Sequence, residues 1–246
     1  RADFDYEMPR TDENIRKIAQ FIKRFVDREG CMEFDVSAVC AIVEYSSRTA
    51  ERQDKLSTRF NHLAEILCEA VTWAKLEGAE LVTAAHIQKT IYEKEQRMKL
   101  YEEKLDEMLE ENVIMIDTEG AEIGQINGLA VLDMGNYAFG NPSRITATTY
   151  VGKSGIVNIE KEARLSGQTH DKGVQIITGF LGQTYAQNFP LSLSCRVCFE
   201  QNYNGIDGDS ASSTELYCIL SSLAELPIRQ DLAVTGSVNQ KGEIQA

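Results

Sequence analysis

Apolar residues keep a helical period through the first hundred or so positions and lose it after residue 112. Ile15, Ile18, Ile22, Phe25 and Val26 recur on one face behind Thr11, a residue suited to capping, and the run stops at Gly30. Asp35 precedes a second such stretch, VSAVCAIVEYSSRTAERQ, and a third, STRFNHLAEILCEAVTWAKLEG, closes at Gly78. Thr83 opens a fourth, predicted to run unbroken through AAHIQKTIYEKEQRMKLYEEKLDEMLEEN. Four helices with short polar joints make a small bundle. The Glu- and Lys-rich tail of the fourth reads as a solvated face with i,i+4 ion pairs. The alternative is an extended arm docked through Leu100, Leu105, Met108 and Leu109.

Beyond Asn112 the segments VIMID, EIGQINGLAVLD, SRITATTYVG and SGIVNIEKEARL are β-rich and bounded by Gly, Asn and Pro. KGVQIITGFLGQTYAQNF reads as a helix ending before Pro190, and LSLSCRVCFEQ as a strand. DSASSTELYCILSSLAEL reads as a helix stopped by Pro227, and DLAVTGSVNQKGEIQ as a hairpin turning at Lys241–Gly242. The expected class is α+β, divided into a helical part (1–95), a linker helix and connector (96–118) and a mixed domain (119–246). The chain opens on Arg1 and closes on Ala246 in mid-pattern, so a piece of a longer polypeptide is expected.

Composition narrows the function classes. A net charge of −13 argues against a nucleic-acid surface, which needs a basic footprint. No apolar run is long enough to cross a bilayer, and the polar start has no signal-peptide pattern. The six scattered cysteines read as reduced, buried thiols of a cytoplasmic protein. Cys195 and Cys198 form a CxxC, but positions i and i+3 of a strand face opposite ways, which disfavours a metal or redox role.

The stretch FEQNYNGIDGDSASSTELYCIL, residues 199–220, carries the chemistry. A strand leads through a Gly-containing turn into a helix, with Gly208, Ser210, Ala211, Ser212 and Ser213 clustered where the helix starts. Free N–H groups and the helix dipole at such a start can stabilise an oxyanion beside an exposed serine. The plainer reading is capping, with Ser212 and Glu215 forming an S-x-x-E box. The two are compatible, because Ser210 stays free when Ser212 caps.

IDGDSAS, residues 206–212, resembles the nucleophile motif of Lon-type ATP-dependent serine proteases. It is closest to the B-type, archaeal-like branch; the A-type branch has proline where Asp209 stands. NGLAVLD (127–133) resembles the family's opening strand. DLAVTGSVNQKGEIQA (231–246) resembles the hairpin after the nucleophile, with Thr235–Gly236 at the family's Thr-Gly pair. The resemblance implies Ser210 as nucleophile, Asp207 as an orienting acid, and the backbone of Asp209 and Ser210 as part of an oxyanion hole. It also implies a lysine base beyond the hairpin, after a Gly-Gly pair. Ala246 comes before that segment, and Lys241 matches a turn position, so this chain alone is expected to be inert. A Ser-His-Asp arrangement would instead bring His170 to Ser210; the Lon resemblance disfavours it, and QTHDKG reads as a turn.

Residues 1–91 resemble the helical subdomain that follows the nucleotide-binding core of the family's AAA+ ATPases. Arg59 falls where the family places an arginine on the nucleotide γ-phosphate; Arg48 and Arg52 are weaker candidates, and a surface arginine is the plain reading. No GxxxxGK[ST] loop occurs, so ATP and Mg are expected only in a full-length protein and no cofactor for this chain by itself. The resemblance further implies a cytoplasmic hexamer acting on unfolded polypeptide. The alternatives are a catalytically silent Lon-fold scaffold used for assembly and substrate binding, and a helical regulatory module joined to an unrelated α+β domain.

Overall fold

The computed structural model of the protein describes residues 1–135 and 137–245; Asn136 and Ala246, the last position of the hairpin stretch, lie outside them. The chain is α+β and divides into two units, Arg1–Leu100 and Tyr101–Ala246.

The first unit runs β1 (Glu7–Pro9), α1 (Asp12–Glu29), α2 (Val36–Thr49), β2 (Lys55–Ser57), α3 (Phe60–Leu76) and α4 (Ala84–Met98). Thr11 Oγ1 accepts the Asn14 N–H at 3.3 Å, a cap worth about 1 kcal/mol. Gly30 ends α1 at φ +60°, and Asp35 caps α2. Ile18, Ile42, Leu63, Leu67 and Ile87 are fully buried, and each contributes about 1.5–3 kcal/mol. β1 and β2 pair antiparallel over this core.

The unbroken fourth helix does not form. α4 stops at Met98, Lys99 N–H donates to the Gln96 carbonyl at 3.5 Å, and α5 (Leu100–Glu110) follows. α5 buries none of its side chains fully; Tyr101 packs edge-on against Phe139 at 6.2 Å.

The second unit continues from α5 with β3 (Ala121–Glu122), β4 (Gln125–Asp133), β5 (Ala138–Val151), β6 (Gly155–Asn158), α6 (Ile159–Glu162), α7 (Gln168–Tyr185) and β7 (Leu193–Phe199). It ends with α8 (Ser212–Ala224), β8 (Ile228–Arg229), β9 (Ala233–Val234), β10 (Ser237–Val238) and β11 (Ile244–Gln245). The main sheet has the order β6-β7-β5-β4-β9. β4, β5 and β7 are antiparallel neighbours, while β6 and β9 join the two edges in parallel. Ile126, Ile145, Val197 and Phe199 of the sheet pack with Leu216 and Ile219 of α8 and Ile177 and Leu181 of α7.

Four expectations are corrected here. VIMID is not a strand: the side chain of Gln201 accepts from Met115 N–H at 2.8 Å and donates to the Val113 carbonyl at 2.7 Å, holding it as loop. SGIVNIEKEARL yields only β6 before Asn158 caps α6. His170 and Asp171 lie inside the first turn of α7, not in a turn before it. DLAV is no hairpin arm; its β9 pairs with Asn127 and Gly128 of β4, and β10 with β11 alone forms the hairpin around Lys241–Gly242.

Candidate active site around Ser210

β7, between β6 and β5, ends at Phe199, and the chain turns through 200–211 before entering α8. Gly208 takes φ +91°, a conformation that L side chains rarely adopt, and this sharp turn leaves Ser210 exposed. Two segments clamp the turn. On one side the Ile206 carbonyl accepts the Gly167 N–H at 2.8 Å, and Ile206 donates to the Leu165 carbonyl at 2.8 Å. On the other, Gly236 N–H donates to the Ser210 carbonyl at 2.6 Å, and Ser213 N–H to the Gly236 carbonyl at 3.0 Å.

The Ser210 hydroxyl is bonded to no group among the described residues and lines a groove of about 800 Å³. Leu129, Val131, Tyr203 and Thr235 line it too. The N–H groups of Ser212 and Ser213 are taken by the carbonyls of Asp209 and Gly236. Those of Asp209 and Ser210 are engaged by nothing else among the described residues, which leaves them available to an oxyanion.

Asp207 is exposed, and its Oδ1 accepts the N–H of Thr169 at 3.1 Å and of His170 at 3.3 Å. It caps α7 from outside the helix. The N–H groups of Gly208, His170 and Thr169 hold its carboxyl below the usual aspartate range. Gly167 makes this approach possible, since a Cβ there would stand 2.2 Å from Asp207 Cγ.

The S-x-x-E capping box is corrected. Ala211 is the N-cap, so Glu215 falls one place further into α8 and turns inward, 1% exposed. Ser212 is also buried, and its Oγ accepts the Val238 N–H at 3.0 Å. His170 does not meet Ser210. Its ring is 1% exposed, with Nε2 3.2 Å from Glu215 Oε1 and Nδ1 2.9 Å from Ser166 Oγ. This pair was missed in the sequence because its members are 45 residues apart.

Lysines near the groove make poor bases. Lys104 lines it but pairs with Glu107, and that hydrogen bond raises its pKa, the wrong direction for a base. Lys241 is exposed in the β10–β11 turn. Cys195 is buried and Cys198 half-buried on β7, and burial pushes both thiols up to about 12. No group of residues that could hold a metal ion occurs among the described residues.

In the first unit Arg59 sits at the start of α3, exposed, its guanidinium 5.0 Å from the Tyr6 ring centre. No carboxylate pairs with it among the described residues. Arg52 is engaged with Asp54 and Glu7, and Arg48 is exposed in the last turn of α2.

Residues 33–97 match the family model described as the archaeal LonB AAA+ ATPase LID domain. A Lon protease homologue of Escherichia coli is 43% identical over 59% of this chain and 25% of its own length. Another, from Haemophilus influenzae, is 32% identical over 89% of this chain and 36% of its own length. The archaeal Lon protease of Pyrococcus abyssi is 31% identical over 96% of this chain and 23% of its own length. An α+β chain carrying an AAA+ LID domain is thereby defined. It belongs to the Lon-type protease family, on the B-type, archaeal branch. The chain spans between about a quarter and a little over a third of the length of these relatives. No helix among the described residues is long and apolar enough to cross a membrane.

Proposed function

We propose that the intact protein is a cytoplasmic, ATP-dependent serine endopeptidase that degrades unfolded polypeptide as a hexameric ring. On this reading 1–95 is the four-helix AAA+ small subdomain and 119–246 the larger part of the Lon proteolytic domain, completed by a lysine outside residues 1–246. Ser210 Oγ attacks the scissile carbonyl while its proton passes to that lysine. The N–H groups of Asp209 and Ser210 receive the oxyanion. The C–N bond then breaks, the leaving amine takes the proton, and water releases the acyl group from Ser210. Asp207 orients the turn through its bonds to α7.

The observation that carries this reading is the exposed, unengaged Ser210 hydroxyl on the floor of the groove, at the end of a clamped turn. The edge of β4 supports the substrate class. β9 pairs with it only at Asn127 and Gly128, so 129–133 offer unpaired backbone to an extended chain among the described residues. When ATP and Mg are bound, hydrolysis supplies the work of unfolding; of the residues in this chain, Arg59 would meet the γ-phosphate.

The test is casein cleavage. The intact protein should degrade it in the presence of ATP, Ser210→Ala should abolish this, and 1–246 alone should be inactive. Robust cleavage by 1–246 that Ser210→Ala removes would mean that the base lies within these residues. The second reading is a silent scaffold, separated from the peptidase by whether that lysine exists outside residues 1–246. Labelling of Ser210 in the intact protein by a fluorophosphonate excludes the scaffold; persistent non-labelling excludes the peptidase.

A further inference from the structure

Beneath the Ser210 turn lies a buried polar cluster that the peptidase chemistry leaves unused. His170 stands in the first turn of α7 and Glu215 in the first turn of α8, 3.2 Å apart and each 1% exposed. Asn158 Nδ2 donates to the same Glu215 Oε1 at 3.2 Å, and Phe199 packs edge-on against the imidazole at 5.5 Å. Glu160, also buried, uses Oε1 to accept the Phe199 N–H at 2.7 Å. Its Oε2 and that of Glu215 are sealed from water without a hydrogen-bond partner among the described residues.

Glu215 is sealed from water beside an imidazole, so burial opposes its charge and that partner favours it. Burial opposes a charged His170, but the Glu215 hydrogen bond and charge outweigh it and leave the imidazole pKa raised. Burial likewise raises Glu215. The pair therefore retains one proton that the separate groups would have lost. The titratable and charged groups around it are Glu160 and Lys161 of α6, Asp171 of α7, Cys198 of β7, Cys218 of α8 and Asp207 of the turn.

That proton sits where the turn is anchored. The His170 backbone N–H holds Asp207, three residues before Ser210, and α8 begins two residues after it. Accepting Ser210 as the nucleophile, we propose that the proton shared by His170 and Glu215 sets the position of the Ser210 turn, His170 being a positioning residue for the peptidase. With the proton present, the first turns of α7 and α8 are drawn together. Without it, the buried Glu215 carboxylate faces a neutral ring, and the turn loosens.

The test is an NMR titration of chain 1–246 from about pH 5 to pH 9, a window that brackets the ordinary histidine value. His170 should keep its proton above that value, and the Gly208 and Ser210 amide shifts should move with the same midpoint. In Glu215→Gln the His170 midpoint should fall below the ordinary value. In His170→Gln the two amides should stay still across the window. Amides that ignore the His170 midpoint in the unmodified chain, or that still follow it in His170→Gln, overturn the proposal. The unmodified chain decides alone if a variant fails to fold. In the intact peptidase the same midpoint should appear in kcat and not in KM, and His170→Gln should flatten it. Tracking amides in a protein that never cleaves would defeat only the peptidase reading, whereas silent amides in an active peptidase would defeat only this one.

Discussion

Replacing Gly208 by alanine isolates the backbone strain that exposes the nucleophile. Gly208 has φ +91°, and an added Cβ would meet nothing closer than Ser210 Oγ at 4.0 Å. There is room for the methyl group, so the cost is conformational, about 1–2 kcal/mol for an L-residue held left-handed. At about 2–4 °C per kcal/mol for a domain of this size, melting of the second unit should drop by about 2–8 °C. Gly140→Ala is the matched control: it too has open space, but an ordinary strand conformation. There the same methyl should stabilise by about 0.5–1 kcal/mol, because glycine is the costlier residue within a strand. Tryptophan fluorescence cannot report either change, since the one tryptophan, Trp73, lies in the first unit. Far-UV circular dichroism with amide exchange at residues 206–212 is the appropriate assay. Equal shifts of the same sign in the two variants would refute the φ-based reasoning.

Gly167→Ala puts a methyl 2.2 Å from Asp207 Cγ without backbone strain, so amide exchange at Thr169 and His170 should accelerate as the cap is pushed out. Asp207→Asn should alter the acid limb of the stability profile. A carboxyl with a lowered folded pKa contributes stability above its unfolded value and loses it as pH falls through the lowered one, so urea midpoints of the two proteins should converge with acidification. Thiol labelling should split by burial: Cys40 and Cys68 are exposed and react in the folded protein, while Cys195 and Cys218, both raised to about 12, wait for unfolding. Equal labelling of all four under native conditions would contradict the described packing.

The helices of the first unit were legible because their apolar period and caps are local. Thr11, Gly30 and Asp35 act within three or four residues of where they stand. The break at Lys99 was not, because the Glu- and Lys-rich sequence on both sides has the same helical propensity and carries no Gly or Pro stop signal. Ser210 was visible through Gly208 and its small neighbours. Glu215 was misread by one position: with Ala211 as the cap it is the fourth helical residue and not the third, and its side chain is buried. Its partner, His170, is set by how α7 folds back onto α8, which no local pattern records. The short strands β3 and β8, two residues each, gave no periodic signal at all.

The open flank of β4 has a further consequence. A bare strand selects visitors by backbone alone, and with Val131 74% exposed it offers an apolar handhold as well. A neighbouring copy of the same strand satisfies those requirements as well as any other extended chain does. Crowded solutions of this chain should therefore form sheet-linked pairs that a short extended peptide dissolves.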